Sequence, residues 1–387
     1  MKLLPLVLCV FTAASLSPRS AAARNVEVDV SSCSRMFDIL TAMRSGAAQD
    51  RVSAMLDSVL ETKPYQTMFL HYNRSWRPNH LPVAVFKRMI LSLGFDGVYR
   101  AGENQRADQM RVFWKKFYDD PELYRKNLEQ LAGTDLRRLI NEGVLYAQGW
   151  LPPEWHIPDF YVPIHPDGGS SAFSIGNAQG YDFFQLPRDS SGSILWRDLV
   201  VTISHESHHL GQMGRMPGPM SASDSVAYQF VAMFVGEGTA SKFVNDYPGG
   251  CVPVVDPARQ DPRFGSSEVG RWWQKYTDRG PELFARMVAT FDSTYAGLLS
   301  EEDLRLEMGQ YWLQGYISPV YYVGADLFGA VYFGHGKEGA FTAMRDPRQL
   351  FRLYDEALKR KPRLLGGCYA IPDSTVAHAL AIGRHRR

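Results

Sequence analysis

The sequence predicts an α+β fold, predominantly helical, with a small β-sheet and an N-terminal helical region. Three observations point to it. Apolar residues recur at three- and four-residue intervals through most of the first 150 positions. A Pro- and Gly-punctuated stretch from Pro152 to Leu186 then breaks into short β-like runs, and helical periodicity returns after Ser191. With 45% hydrophobic and 12% aromatic residues, a chain of 387 has material for a sizeable core, in one large domain or two ordinary ones. The charge is balanced, 42 Lys+Arg against 41 Asp+Glu, so there is no basic footprint for nucleic acid.

Met1-Lys2, the apolar run Leu3 to Leu16 and the small residues Ser20 to Ala23 read as a signal peptide over residues 1–23. The run is shorter than the ~20 apolar residues of a membrane span, and no later stretch qualifies. A secreted or periplasmic mature chain without a transmembrane segment is expected. Cys33, Cys251 and Cys368 remain after the signal, too far apart for a local zinc knuckle. An oxidising compartment allows one disulfide and one free thiol, and Cys251 with Cys368 is the expected pair. Asn73-Arg74-Ser75 fits the glycosylation acceptor pattern.

Residues 24–150 form the N-terminal helical region. Its apolar stripes pass through Met36, Leu40 and Met43, then Val52, Met55, Leu56 and Val59, with breaks at Pro64 and Arg77-Pro78. Further runs cover Val83 to Ser92, Gln105 to Tyr118 and Pro121 to Leu145. No catalytic spacing occurs here, so the region reads as a scaffold, part of which could wall a substrate cleft. Residues 151–387 follow as a second region. Phe160 to Ile164, Ala172 to Ile175 and Tyr181 to Leu186 read as strands, and Pro163 predicts an edge position for the first.

The next helix is expected from Ser191-Gly192-Ser193, through Leu199, Val200 and Ile203, to Gly211, Gly214 and Pro217. It carries His205-Glu206-x-x-His209. Positions four apart on a helix lie about 40° apart around it and ~6 Å along it, so both imidazoles can reach one cation. Glu206 lies about 100° round, beside the metal, where it could act as general base on a bound water. A second helix, from Ser221–Ser223 to Tyr247, has Glu237 within its apolar stripe of Phe230, Met233, Phe234 and Ala240. A carboxylate there needs a cation or several donors. Two histidines and a glutamate leave a fourth position open, the arrangement of catalytic zinc. His156, His165 and His335 are the next ligand candidates. A third helical zone spans Tyr311 to about Gly334, and an amphipathic run from Pro347 to Lys359 closes the pattern.

His205-Glu206-x-x-His209 followed by Glu237-Gly238-x-Ala240 resembles the gluzincin metallopeptidases, and residues Tyr161 to Leu358 look most like a bacterial family of zinc-dependent peptidases of unknown substrate. The resemblance implies a zincin-like catalytic domain, zinc on His205, His209 and Glu237, Glu206 as base, and a peptide or protein substrate. Tyr321-x-x-Gly324 recurs in that family; a similar motif in gluzincin aminopeptidases supplies an oxyanion donor, a role Tyr321 would inherit, with Tyr322 beside it. The sequence departs from the pattern in three ways. His209 and Glu237 are 28 residues apart, Ser241 stands where many gluzincins have an aspartate, and no Gly-Ala-Met-Glu-Asn motif is present, so aminopeptidase activity is not implied. Zinc-dependent peptide hydrolysis is the expected function; a zinc hydrolase of a non-peptide amide and a non-catalytic, metal-stabilised peptide-binding domain are the alternatives.

Overall fold

The computed structural model describes residues 26–74, 79–213, 215, 220–257, 267–314 and 317–384. The expected signal peptide lies outside them, as do Ser75 of the acceptor triplet, the break at Arg77-Pro78, and Gly214 and Pro217. After strand β1 (Val26–Asp29) come seven helices: α1 (Ser31–Arg44), α2 (Gln49–Leu60), α3 (Lys63–Tyr72), α4 (Val83–Leu91), α5 (Gln105–Asp119), α6 (Pro121–Ala132) and α7 (Leu136–Gln148). The last three start where side chains satisfy the first free amides. Asn104, Asp120 and Asp135 accept from the backbone N–H of Ala107, Leu123 and Arg138.

Strands β2 (Phe160–His165), β3 (Ala172–Ile175) and β4 (Ala178–Asp182) complete one sheet of order β1-β2-β4-β3. β1 and β4 run parallel to β2, whereas β3 is antiparallel to β4. The edge position that Pro163 predicts for its strand is therefore wrong: β2 is interior and buried along its whole length. Its ladder with β4 pairs Tyr161 with Ala178, Ile164 with Tyr181 and His165 with Asp182, leaving out Pro163, whose missing donor costs no rung there. The edge next to the cleft is β3. The run expected to continue to Leu186 stops at Asp182, whose carboxylate accepts from Phe184 N–H and turns Phe183–Gln185 into a 3₁₀ turn.

The motif helix α8 spans Trp196–Gln212, starting later than expected. Asp189 accepts from the backbone N–H of Ser191 and Ser193, so these serines build a turn rather than a cap. Ser221 caps α9 (Ala222–Thr239) by accepting from Asp224 N–H, and a π-helical turn, Ala240–Val244, prolongs it. Then come α10 (Ser267–Asp278), α11 (Gly280–Tyr295) and α12 (Glu301–Glu307), which ends in a second π-helical turn, Met308–Trp312. The expected helix from Tyr311 begins only at Pro319: α13 (Pro319–Arg345) is 27 residues long and kinked at Gly336, where φ is 69°. α14 (Leu350–Arg360), α15 (Pro362–Leu365) and α16 (Asp373–Ala381) close the chain.

One buried apolar cluster runs from Val26 to Ile382, with members on both sides of Trp150. α7 crosses α8 closely at Gly143, where a Cβ would stand 2.7 Å from Ile203 Cγ2. The N-terminal helices also fix the segment after β2. Tyr65 and Trp114 donate to the carbonyls of Pro166 and Asp167, and Tyr72 donates to the Asp167 carboxylate. Cys251 and Cys368 form the expected disulfide, and Cys33 is a buried free thiol. No helix among the described residues is long and apolar enough to cross a membrane.

Candidate metal centre

α8 presents three histidines, and their positions around the helix separate them. His208 is buried and donates to the Trp150 carbonyl at 3.2 Å; burial lowers its pKa to about 3. His205 and His209 face a cleft of about 720 Å³ between α8 and β3. Their Nε2 atoms are 3.0 Å apart and lie 3.4 and 3.3 Å from Glu237 Oε2, which α9 brings to the same point. Two ligands held by zinc at ~2.0–2.1 Å in a tetrahedral arrangement lie ~3.3–3.4 Å from each other, so this triangle of donors fits that ion. Glu237 Oε2 is buried and accepts no hydrogen bond among the described residues, an orphaned acceptor that a cation would satisfy.

The electrostatics agree. Burial alone would depress the His209 pKa, but the facing Glu237 carboxylate outweighs it and raises the value to about 9. For Glu237 burial acts upward, and the two imidazoles overcome it and hold the carboxyl well below its usual range.

The imidazole orientation is fixed from behind. His205 donates Nδ1–H to Asn245 Oδ1 at 2.6 Å, which leaves the Nε2 lone pair directed at Glu237 and His209. Asn245 follows the π-helical turn. In an unbroken α-helix it would lie about 80° round from Glu237, and the extra residue of the turn brings it back to within ~20° of the same face. Ser241, which departs from the aspartate that many gluzincins have there, has a buried Oγ with no hydrogen bond among the described residues.

Glu206 is held next to the triangle. Ser174 on β3 donates Oγ–H to Glu206 Oε2 at 2.7 Å. Tyr321, at the start of α13, also lines the cleft, its ring edge-on to His205 with centroids 5.9 Å apart. Tyr322 does not: it is fully buried and packs on Trp273 and Tyr276. The two short motifs meet through their glycines. A Cβ on Gly324 would lie 2.4 Å from Gly238 Cα, so α9 and α13 touch backbone to backbone, one turn from Tyr321 and one residue from Glu237.

The structure thus brings together His205, Glu206, His209, Glu237 and Tyr321. It leaves out the other candidates: His156 is exposed, His165 is buried at the end of β2, and His335 donates to the Leu353 carbonyl. Four residues of the site have no signal in the motif spacing: Ser174, Arg74 and Arg106, which line the cleft, and the buried Asn245 behind His205. Only the expectation that part of the N-terminal helical region walls the cleft anticipates the arginines.

Residues 56–363, well over half of the chain, match the family described as "Putative zinc dependent peptidase (DUF5700)". The match starts within α2, so helices that the short motifs do not touch belong to what the family shares. No curated protein and no solved structure matches the chain.

Proposed function

The chain belongs to this family of zinc-dependent peptidases, and from that premise we propose that it hydrolyses peptide bonds with water at zinc held by His205, His209 and Glu237. The observation that carries the proposal is the donor triangle, 3.0 to 3.4 Å on a side, opening into a cleft that also contains Glu206. Zinc in such a site polarises a carbonyl and lowers the pKa of water to ~7. Glu206, held by Ser174, takes the proton of the attacking water and returns it to the leaving amine. The Tyr321 hydroxyl donates to the oxygen on which negative charge develops. An extended substrate pairs with the outer edge of β3, which would place its scissile bond beside the Ser174–Glu206 contact.

A purely structural metal site has no use for a carboxylate beside the metal that is not a ligand, and the presence of Glu206 there favours catalysis over the binding-domain alternative. An extracytoplasmic location is proposed with it; the Cys251–Cys368 disulfide supports an oxidising compartment. The test is incubation of zinc-loaded protein with a mixed peptide library, with products read by mass spectrometry. New termini are expected with the parent protein and nearly none with Glu206→Gln, which should keep its zinc. Intact peptides with a fully metallated parent would reject hydrolysis.

A further inference from the structure

Outside the metal centre the cleft has a one-sided charge. Among the described residues that line it, the carboxylates are Glu206 and Glu237, and both stand at the donor triangle. The remaining charged lining groups are Arg74, just after α3, and Arg106 in the first turn of α5. Glu206 also acts on the Arg74 charge, so Arg106 is the lining cation that neither of these carboxylates faces. Both arginines are held in place. Arg74 donates through Nη2 to the Ser174 carbonyl on β3. The Arg106 guanidinium lies 4.7 Å from the centre of the Tyr72 ring, and its Nε donates to the Asn79 carbonyl at 3.0 Å. Tyr72 is itself fixed: it donates to Asp167 at 2.8 and 2.9 Å and accepts from Ser170 N–H at 2.6 Å. Among the described residues Arg106 forms no ion pair and its Nη groups make no hydrogen bond, although its charge acts on the buried Asp167 carboxylate behind Tyr72. A guanidinium on a rigid aromatic platform, with its fork unspent, suits a planar anion that it can bind through two parallel bonds.

We propose that Arg106, with Arg74 beside the same cleft, selects peptides that carry a carboxylate close to the scissile bond, either an acidic side chain or the free C-terminus. The inference rests on the peptidase reading and names its substrate class. A low-dielectric cleft with one sign of charge raises the local concentration of the opposite sign, and a charge-assisted hydrogen bond adds discrimination against a neutral isostere.

The test uses matched peptides that differ only in Asp or Glu against Asn or Gln at each position, and in a free against an amidated C-terminus. Binding is measured to zinc-loaded Glu206→Gln protein, and kcat/KM with the parent. Carboxylate peptides are expected to bind about tenfold or more tightly than their isosteres, a gap that narrows as salt is raised. Arg106→Gln should bring the ratio close to one, and Arg106→Glu should shift it toward Lys-containing peptides. A gap confined to side chains identifies an acidic residue as the determinant, and one confined to the terminus identifies the α-carboxylate. Equal binding of carboxylate and amide peptides, or a gap that survives in both Arg106 variants with unchanged circular dichroism, overturns the inference. Preferential binding without hydrolysis by the parent would reject the peptidase reading and leave carboxylate recognition standing; hydrolysis without preference would do the reverse.

Discussion

Tyr321 and Tyr322 adjoin in sequence and point into different surroundings, the cleft and the core. If Tyr321 stabilises the oxyanion, Tyr321→Phe should lower kcat by roughly 10²-fold or more, the scale for losing one such donor, with almost no change in stability. Tyr322→Phe should stay within a few fold of the parent in steady-state kinetics; a collapse of kcat there beside an unchanged Tyr321→Phe would exchange their roles. Behind the metal centre, Asn245→Ala should weaken zinc affinity by roughly 10–100-fold, and Ser241→Ala should leave it unaltered, as measured by competition with a chelator of known affinity. His205, Glu206 and His209 were legible in the sequence because helical spacing is local, and Glu237 because a carboxylate in an apolar stripe demands a partner. Asn245 was hidden by the π-helical turn, which changes the face that residue counting assigns. Ser174 reaches Glu206 across 32 positions, a contact that only the packing of β3 on α8 creates.

At the scale of elements, the crossing of α9 and α13 positions the proposed oxyanion donor relative to Glu237, the third proposed ligand. Gly238 and Gly324 leave no room for a side chain between the helices. Gly324→Ala should push them apart, cost about 1–3 kcal/mol in denaturant unfolding, and lower kcat by moving Tyr321. An unaffected kcat in a folded Gly324→Ala protein would show that the crossing does not set catalytic geometry. Helices were the most legible elements, because their periodicity is written locally; the run read from Pro121 to Leu145 is nevertheless two helices, broken after Ala132 and restarted at the Asp135 cap. Strand positions were less so. Pro163 reports only a missing donor, whereas the place of β2 in the sheet depends on β1, a four-residue strand too short to show a pattern, docking from more than 130 positions away.

Over the whole molecule, residues on both sides of Trp150 build one cleft: α8 and α9 supply the proposed metal ligands, and the N-terminal helical region supplies Arg74 and Arg106. That division was not legible from motifs, which mark chemistry and leave walls unmarked. The Cys251–Cys368 bridge spans 117 positions, ties the loop after the π-helical turn to the segment before α16, and lies away from the cleft. Cys251→Ser with Cys368→Ser should therefore cost about 2–4 kcal/mol of stability in chemical denaturation while zinc content is kept. Loss of zinc in the folded double variant would instead tie the bridge to the metal centre. The most direct test of the whole proposal is the zinc content of the purified chain by elemental analysis, set beside that of two variants. About one zinc per chain is expected for the parent and for Glu206→Gln, with a marked loss in Glu237→Ala. A parent chain that has no zinc and takes up none when it is supplied, or a Glu237→Ala chain that keeps its full complement, would contradict the metal centre described here.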